Sequence, residues 1–303
     1  MTDSLTTKAV AKLLRVSEAT VKRWADSGLL QSDKTVGGHR RFSLNAVAHL
    51  RRELGIGPGA DKAPGRSGQK SASIDLPATV QFAGTLLSAD EKEAGAVLVQ
   101  AYLSGAALTT LFDETITKAM HHIGELWFKG SITVADEHLA TRVVFSALQT
   151  LRAAMMPVQP TGKKAICCGI EGDLHELPVQ LARMVLESEG WEVQSLGPNT
   201  PLFALSDMVA RERPQLVCIS ARSISDLDRA TAEYGQLRKI TGKFGVSVVI
   251  GGEGFRDPVF RERFPSEFYA ENFAGFAKFI RGLIKKRLAS APNAGTNTRQ
   301  QIS

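Results

Sequence analysis

The 303-residue sequence lacks the features of a secreted, disulfide-stapled or membrane-spanning protein. Its three cysteines are too few and too badly spaced for a disulfide framework, which fits a reducing cytoplasm. No apolar run approaches the roughly 20 residues that a membrane helix needs, so we expect no membrane association. The first four residues carry neither a basic segment nor an apolar core, and we therefore expect no signal peptide. No internal repeat is visible in the sequence.

Positive charge is concentrated at one end of the chain. Residues 1–54 hold ten Lys or Arg and five Asp or Glu, which gives this segment a net charge of +5. The whole chain has a net charge of +6, so the remaining residues contribute only +1. A small basic module beside a nearly neutral remainder is the electrostatic pattern of a nucleic-acid-binding domain attached to a different domain.

Changes in composition divide the rest of the chain. Residues 55–77 are rich in Gly, Pro, Ser and Lys without a hydrophobic period, which predicts a flexible linker. Apolar residues at helical spacing predict a helical domain over 78–159, and alternating patterns predict an α/β domain over 163–289. Residues 290–303 are polar and predict a disordered tail. The predicted strands of the α/β domain lie near 164–169, 192–196, 216–220, 246–250 and 268–270.

The basic module has the pattern of three short helices. Residues 5–14 place apolar side chains at helical spacing, and residues 45–54 do so again. Between them, Ser17 is a good N-cap for a second helix whose buried face carries Val21 and Trp24. Polar and basic side chains then remain on the outer face of the second helix, which suits a DNA major groove and its phosphates.

A basic turn, Gly37-Gly-His-Arg-Arg-Phe42, follows the second helix and predicts a short strand. This order of helices and turn over residues 1–54 resembles the winged helix-turn-helix DNA-binding domain of the MerR family. The resemblance implies that the second helix reads bases in operator DNA, that the turn holds the DNA backbone, and that the protein acts as a dimer. The alternative is a solvated helix face beside a basic surface turn. The candidate DNA-binding residues are Thr20, Lys22, Arg23, His39, Arg40 and Arg41.

Trp127 and the pair Glu137-His138 flank one turn between two predicted helices. Trp127 ends the first helix, and Thr133 caps the second with Asp136 in the position of a capping box. An aromatic plane and a hydrogen-bonding pair that face the same space are suited to covering a flat macrocycle. The alternatives are a tryptophan in the core of the helical domain and a solvated first helical turn.

Asp173 and His175 lie in a loop between the predicted strand at 164–169 and an amphipathic run over 179–189. A strand, a loop and a helix in this order form the first unit of a parallel α/β sheet, in which ligands gather at the carboxyl ends of the strands. The spacing allows the carboxylate to orient the imidazole, as happens to a histidine that ligates a metal.

The order Asp173-x-His175-x-x-Pro178 resembles the Asp-x-His-x-x-Gly signature of cobalamin-binding domains, with proline in place of the final glycine. The resemblance implies that His175 is the metal ligand, binding cobalt from below, and that Asp173 orients it.

Two further elements of the cobalamin-binding pattern follow in order. Ser220 resembles the serine near the cofactor's dimethylbenzimidazole tail, and Gly251-Gly252 resembles the glycine pair that lets the backbone approach the nucleotide loop. The sequence departs from the pattern at Ala221-Arg222, which bears on the geometry of the tail pocket.

The spacing Trp127-x(9)-Glu137-His138 resembles the helical cap of cobalamin-dependent MerR-type regulators, the light-responsive CarH/LitR group. The resemblance implies that Trp127 shelters the upper axial ligand and that Glu137 and His138 contact the adenosyl group or its surroundings. In light-responsive members, the next residue is a histidine that captures cobalt once the cobalt–carbon bond breaks. Here it is Phe128, which cannot ligate a metal, so we expect no stable bis-histidine state after illumination.

These patterns predict a multidomain fold. It consists of an all-α winged helix-turn-helix, a four-helix bundle cap, and an α/β doubly wound, parallel five-stranded, flavodoxin-like sheet. The predicted function is that of a non-enzymatic, cytoplasmic transcriptional regulator that binds double-stranded operator DNA and senses adenosylcobalamin. Because the chain lacks long coiled-coil heptads, self-association into a dimer or tetramer would use the later domains.

Two other functions fit the same patterns. In one, the cobalamin fold no longer binds the cofactor and serves protein interactions in a MerR-type regulator. In the other, which the absence of a substrate-activation domain disfavours, the chain is a corrinoid methyl carrier with an accessory N-terminal module.

Overall fold

The computed structural model describes residues 4–35, 37–54 and 78–289. The predicted linker at 55–77 and the predicted tail at 290–303 lie outside the described residues. None of the helices in the described ranges is both long and apolar enough to cross a membrane.

The N-terminal module combines three helices with a small antiparallel sheet. Each helix begins after a hydroxyl side chain that accepts a hydrogen bond from the backbone N–H three residues later, and the predicted cap at Ser17 is one of them. On the second helix Val21 is buried and Trp24 is half-buried. The strand predicted at the basic turn is present as β3, but the all-α expectation omits β1 and β2, because strands of two or three residues carry too little alternation to be predicted. The elements are β1 (Ser4–Thr6), α1 (Thr7–Leu14), α2 (Glu18–Asp26), β2 (Asp33–Lys34), β3 (Arg40–Ser43) and α3 (Leu44–Glu53), with the strands in the order β1-β3-β2.

The middle of the chain is helical, as predicted. A π-helical turn, Leu111–Ile116, joins α6 to α7 in one continuous helix. The capping box at Thr133 and Asp136 is present, with each side chain bonded to the backbone N–H of the other residue. Helix α8 packs on α5 and α4, and α4 also packs on α7. The helices are α4 (Thr79–Leu87), α5 (Glu91–Leu103), α6 (Leu108–Thr110), α7 (Thr117–Phe128) and α8 (Val134–Ala154).

The C-terminal region forms a parallel five-stranded sheet, and all five predicted strands are present. The strands lie in the order β5-β4-β6-β7-β8, so the chain leaves in opposite directions after β4 and β6. The crevice between the carboxyl ends of β4 and β6 is therefore the topological switch point, where ligands bind in open α/β sheets. The strands are β4 (Lys164–Ile170), β5 (Glu192–Thr200), β6 (Leu216–Ser220), β7 (Ser247–Gly251) and β8 (Phe268–Ala270).

Helices cover both faces of this sheet. Side chains from α9 and α13 pack on one face, and side chains from α10 and α11 pack on the other. Neighbouring Cys167 and Cys168 belong to the cores on opposite faces, as strand alternation predicts. Burial raises the pKa of the Cys168 and Cys218 thiols well above their ordinary value. The helices are α9 (Leu177–Ser188), α10 (Leu202–Glu212), α11 (Leu227–Phe244), α12 (Pro258–Glu262) and α13 (Phe273–Ala289), with a 3-10 turn at Glu253–Phe255.

One hydrophobic cluster runs through all three regions. It begins in the N-terminal module, continues through the helical region and ends on the α9/α13 face of the sheet. Polar contacts accompany it: Arg152 of α8 is 2.7 Å from Glu187 of α9. Asp113, in the π-helical turn, accepts hydrogen bonds from the backbone N–H groups of Phe273 (2.8 Å) and Ala274 (3.0 Å) at the start of α13. The helical region is therefore seated on the α9/α13 side of the sheet.

Candidate functional site

His175 lies in the loop between β4 and α9, at the carboxyl edge of the sheet. Its Nδ1 is 2.7 Å from Oδ1 of Asp173; the Asp173 side chain is 1% exposed, whereas that of His175 is 57% exposed. Asp173 also accepts hydrogen bonds from the backbone N–H groups of His175 (3.0 Å) and Arg222 (2.6 Å). Three donors satisfy the buried carboxylate, which removes the usual cost of burying a charge.

The imidazole is therefore held by one nitrogen and presents the other. Nδ1 of His175 is engaged by Asp173, and no residue in the described part of the chain bonds to Nε2. A carboxylate that fixes the ring through one nitrogen leaves the lone pair of the other nitrogen for a metal ion, which is the arrangement of a histidine ligand with an outer carboxylate. The free nitrogen of His175 can supply only one ligand. The site therefore fits a metal whose other ligands belong to the cofactor that carries it.

The hydrogen bond from Arg222 shows a function of Asp173 that sequence reasoning missed. Arg222 follows β6, so Asp173 joins the loops after β4 and β6 across the switch point. The Arg222 side chain is exposed at this edge. A 49-residue separation in sequence carries no local signal, and only the adjacency of the two strands brings these groups together.

Small residues line up across four strands next to His175. Gly169 pairs with Ser220, Ser220 with Gly251, and Gly251 with Ala270. Cys218, two residues before Ser220 on β6, belongs to the core on the α9/α13 side, so the whole row faces α9 and α13. The sheet is therefore thin on this side at its carboxyl edge, and this is the place at which the sequence predicts a nucleotide tail.

The glycine pair after β7 also has a packing function. Gly252 has φ +96°, and an added Cβ would lie 2.4 Å from the carbonyl oxygen of Ala221. Ala221 is fully buried; its N–H donates to the Gly251 carbonyl (3.0 Å), and its carbonyl accepts from the Gly254 N–H (2.8 Å). The close contact between the loops after β6 and β7 is sufficient to require glycine at position 252. Contact between Gly252 and a ligand therefore stays a prediction.

Pro178 stands where the family signature has glycine. It is the second residue of α9, a position at which the missing N–H of proline has no helical acceptor in any case. The departure from the signature is thus compatible with the local backbone.

The turn between α7 and α8 exposes apolar side chains. Trp127 is 49% exposed and Phe128 is 86% exposed at the end of α7, and Leu139 on α8 is exposed as well. The His138 side chain is 73% exposed, whereas Glu137 is partly buried and accepts a hydrogen bond from the Thr141 hydroxyl (3.2 Å). Several exposed apolar groups beside hydrogen-bonding groups are typical of a surface that binds a ligand or partner. We refer to residues 127–139 as the α7–α8 tip.

Helices α8 and α9 run side by side in the same direction. Arg152 and Glu187 pair at one end of the contact. Both helices also line a narrow cleft with residues that precede this pair in sequence, so they run in the same general direction at this contact. These residues are Phe145, Leu148 and Gln149 on α8, and Gln180, Arg183 and Met184 on α9.

This arrangement places the starts of α8 and α9 on the same side of their contact. Helix α8 begins at Val134, directly after the turn of the α7–α8 tip, and α9 begins at Leu177, two residues after His175. The tip and the histidine loop therefore lie on the same side of the Arg152–Glu187 pair.

One side chain of the tip shares a helix face with the α9 contact. Thr141 follows His138 by three residues and Phe145 follows Thr141 by four, so these residues lie on the face of α8 that is directed toward α9. Leu174, next to His175, is exposed. A common site for the predicted upper residues and the predicted lower ligand stays a prediction.

The predicted DNA-binding residues fall into two groups. Lys22 and Arg23 on α2 and His39 in the turn before β3 are exposed. Thr20 is half-buried, and its hydroxyl pairs with that of the cap residue Ser17 at 2.9 Å. The first three side chains are free to meet an external partner, whereas Thr20 is partly engaged within α2.

The two arginines of the predicted wing differ. The Arg40 guanidinium donates to the carbonyl oxygen of Lys22 (3.0 Å) and to the carboxylate of Asp26, so it ties β3 to α2. Arg41 is half-buried and makes no such tie. Sequence alone assigns both arginines to the DNA backbone; the structure gives Arg40 an internal partner.

Comparison with known proteins identifies two domain families in the chain. Residues 4–54 match the family described as a helix-turn-helix domain, and residues 81–152 match the family described as a B12 binding domain. The second match covers the helical region that carries the α7–α8 tip.

Two curated relatives are named as transcriptional repressors. The HTH-type transcriptional repressor CarA of Myxococcus xanthus is 32% identical over 127 residues, covering 42% of this chain and 43% of that protein. The HTH-type transcriptional repressor CarH of the same organism is 31% identical over 156 residues, covering 50% of each chain. The chain spans about half the length of these relatives.

A solved structure shows the same fold. The monomethylamine corrinoid protein of Methanosarcina barkeri aligns with 67% of this chain and 96% of its own, at 17% identity and a TM-score of 0.55. With these matches, one part of the chain is similar to helix-turn-helix domains and another to B12 binding domains, and the chain is similar to the transcriptional repressors CarA and CarH.

Proposed function

We propose that this protein is a transcriptional regulator that binds operator DNA and senses adenosylcobalamin. The observation that carries the proposal is the exposed imidazole of His175, which the buried carboxylate of Asp173 fixes through Nδ1. We propose the domain bounds predicted from sequence: a MerR-type winged module over 1–54, a four-helix bundle cap over 78–159 and a flavodoxin-like corrinoid domain over 163–289.

Each proposed contact has a position in the fold. His175 would hold the metal, and Asp173 would set the orientation of the imidazole ring. Trp127, Glu137 and His138 would contact the cofactor from the α7–α8 tip. When bound, the cofactor supplies a cobalt centre with a light-sensitive cobalt–carbon bond. The nucleotide tail would lie on the thin side of the sheet beside Gly169, Ser220 and Gly251, with Gly252 in the loop that follows β7.

Ligand control follows from the position of α8. A ligand shifts an equilibrium only by its difference in affinity for two states. A corrinoid that touches both the α7–α8 tip and the histidine loop favours the conformation in which the distance between these two surfaces matches the cofactor. Loss of the adenosyl group removes the upper contacts, which weakens that preference. Self-association of this state then sets how many DNA-binding modules act together.

A corrinoid carrier is the second candidate function. The likeness in fold to the monomethylamine corrinoid protein favours it, since that match covers nearly all of the other protein. The helix-turn-helix match over residues 4–54 favours the regulator, because a methyl carrier has no use for a DNA-binding module.

Substitution of the proposed cobalt ligand tests the proposal. The purified chain loaded with adenosylcobalamin in the dark should absorb visible light, and His175→Ala should change that spectrum because the imidazole no longer ligates the metal. His121→Ala, an exposed histidine on α7, is the matched control and should leave the spectrum as in the parent.

Operator binding by gel retardation completes the test. A chain that retains the cofactor and shifts DNA supports the regulator. A colourless protein that still shifts DNA contradicts corrinoid sensing and supports a protein-interaction role for the corrinoid fold. An identical spectrum for the parent and His175→Ala removes His175 as the ligand.

A further inference from the structure

Helix α3 of the DNA-binding module has a wide buried face that includes a charged residue. Leu44, Ala48 and Arg51 are spaced by four and three residues, so they share one side of the helix, and each is at least 95% buried. Val47 and Leu50 extend this face and are buried as well. An arginine is almost never fully buried unless it is paired. The burial of Arg51 therefore indicates that a second region covers this part of α3.

The second region is the helical domain. Helix α3 contacts α5 and α8. Arg51 is 5% exposed, and its guanidinium donates to the carbonyl oxygen of Leu103 at 2.9 Å. Leu103 is the last residue of α5, where helix carbonyls lack internal partners and carry partial negative charge. The buried cation therefore meets the end of a helix dipole, and desolvation lowers its pKa.

Helix α8 links this contact to the candidate corrinoid site. Its N-terminal end forms the α7–α8 tip, and its body contacts α3 as well as α5. Lys22 and Arg23 on α2 stay exposed in this arrangement, so the contact leaves the proposed DNA-reading side chains accessible.

We infer that the Leu44–Ala48–Arg51 face of α3 is a docking surface that seats the DNA-binding module on α5 and α8. The direction in which α2 points is then set by α8, the helix that begins at the α7–α8 tip. This inference rests on the proposed function only where it takes adenosylcobalamin as the signal. The docking of α3 on α5 and α8 needs no ligand.

The docking is tested by a distance measurement on the full chain without cofactor. The described cysteines, at 167, 168 and 218, are buried, so Lys12→Cys on α1 and Lys92→Cys on α5, both exposed, take spin labels selectively. Pulsed electron paramagnetic resonance should give one narrow distance distribution. Adding Arg51→Glu should broaden it, because a carboxylate in place of the guanidinium faces the Leu103 carbonyl without a donor.

The adjacent Arg52→Glu is the matched control. It makes the same charge change on a more exposed side of α3 and should leave the distribution narrow. Ala48→Gln is a second variant on the docking face and should broaden the distribution by overpacking it. Far-ultraviolet circular dichroism checks that each variant is folded. A broad distribution in the parent, or a narrow one in both Arg51→Glu and Ala48→Gln, overturns the inference.

Operator affinity then separates this inference from the proposed function. A cofactor-dependent change in the dissociation constant of about tenfold, a usual size for coupled sites, should fall below twofold in Arg51→Glu and persist in Arg52→Glu. Full retention of the change in Arg51→Glu contradicts transmission through α3. If adenosylcobalamin binds no variant, the proposed function fails, while the distance measurement still decides the docking.

Discussion

At the scale of single residues, a motif residue often carries more than one task. Asp173 orients His175 and also holds the backbone of Arg222 on the neighbouring loop. Gly252 occupies a family position for the nucleotide tail, yet the approach of Ala221 already requires glycine there. Substitutions at such positions must be read for stability before they are read for ligand binding.

The strained backbone at Gly252 makes a stability prediction. Its φ of +96° and ψ of 170° lie in a region that is almost confined to glycine, and an added Cβ meets the Ala221 carbonyl. Gly252→Ala should lower the free energy of unfolding by about 1–3 kcal/mol. Urea denaturation measures it.

Gly282→Ala is the control for that measurement. Gly282 is helical in α13 with nothing within 4 Å of an added Cβ, and alanine there should raise stability by about 0.5–1 kcal/mol. Equal stabilities for Gly252→Ala and the parent contradict the packing account of Gly252.

At the scale of elements, short contacts between helices and strands set orientation. The wing strand β3 is tied to α2 through Arg40, and the π-helical turn caps α13 through Asp113. Each tie joins elements that are distant in sequence, and neither is visible in local periodicity.

The two wing arginines should respond differently to substitution. Arg41→Ala should remove one phosphate contact and reduce the slope of log affinity against log salt by about 0.9. Arg40→Ala should instead loosen β3 from α2 and lower the melting temperature of the module, because its guanidinium is bonded within the chain. Fluorescence anisotropy on operator DNA across salt concentrations, with thermal melting, measures both.

Arg142→Ala, at an exposed arginine of α8, should change neither the salt slope nor the melting temperature of the module. A lowered salt slope in Arg40→Ala without loss of stability refutes the division of tasks between the two arginines.

Asp113 should make the seating of α13 pH-dependent. Burial raises the pKa of Asp113 and nearby Glu114 adds to this, although the N–H groups of Phe273 and Ala274 oppose the rise. Because the folded pKa lies above the unfolded one, the stabilising contribution is complete below the ordinary carboxyl range and is lost as pH rises through the raised value. Asp113→Asn should therefore gain stability relative to the parent as pH rises above about 4. Urea midpoints of both proteins between pH 4 and 7 provide the measurement.

Asp136 gives the opposite sign within the same protein. Hydrogen bonds from the Thr133 hydroxyl and backbone lower the pKa of Asp136, so its contribution is present at neutral pH and is lost as pH falls. The parent should therefore gain stability relative to Asp136→Asn as pH rises. If the stability difference between parent and variant changed with pH in the same direction for Asp113→Asn and Asp136→Asn, the raised pKa of Asp113 would be contradicted.

At the scale of the whole molecule, three regions share one hydrophobic cluster, so a change at one end can reach the other. Helix α8 connects two of these regions: it begins at the α7–α8 tip, and it contacts α3, which carries the docking surface. With the proposed function, cofactor occupancy is then read out by the number and direction of DNA-binding modules.

Gel filtration compares the whole assembly in darkness and light. The chain loaded with adenosylcobalamin should change its apparent size on illumination and return to the dark size when fresh cofactor is added. Phe128, exposed at the tip, cannot hold a metal. The Phe128→His variant should instead keep its illuminated size after fresh cofactor is added. A parent protein that stays locked after illumination refutes this account of Phe128, and no size change in either protein removes light as the signal.

Much of the fold was predictable because local chemistry specifies it. The five strands, the caps at Ser17 and Thr133 and the opposed directions of Cys167 and Cys168 follow from hydrogen bonding and alternation within a few residues. In the small sheet of the N-terminal module, only β3 was predicted, from the basic turn before it; β1 and β2 are too short to show a period.

The sequence by itself determined which residues carry the chemistry: a basic helix-turn-helix module, a carboxylate–imidazole pair after the first strand of the α/β domain, and an aromatic tip between two helices. Only the tertiary structure decided how they relate. The parallel course of α8 and α9, the bond from Arg222 to Asp173 and the burial of Arg51 against α5 join residues far apart in the chain. Such contacts depend on how layers of structure stack, and packing between layers has no counterpart in the spacing of residues along a strand or helix.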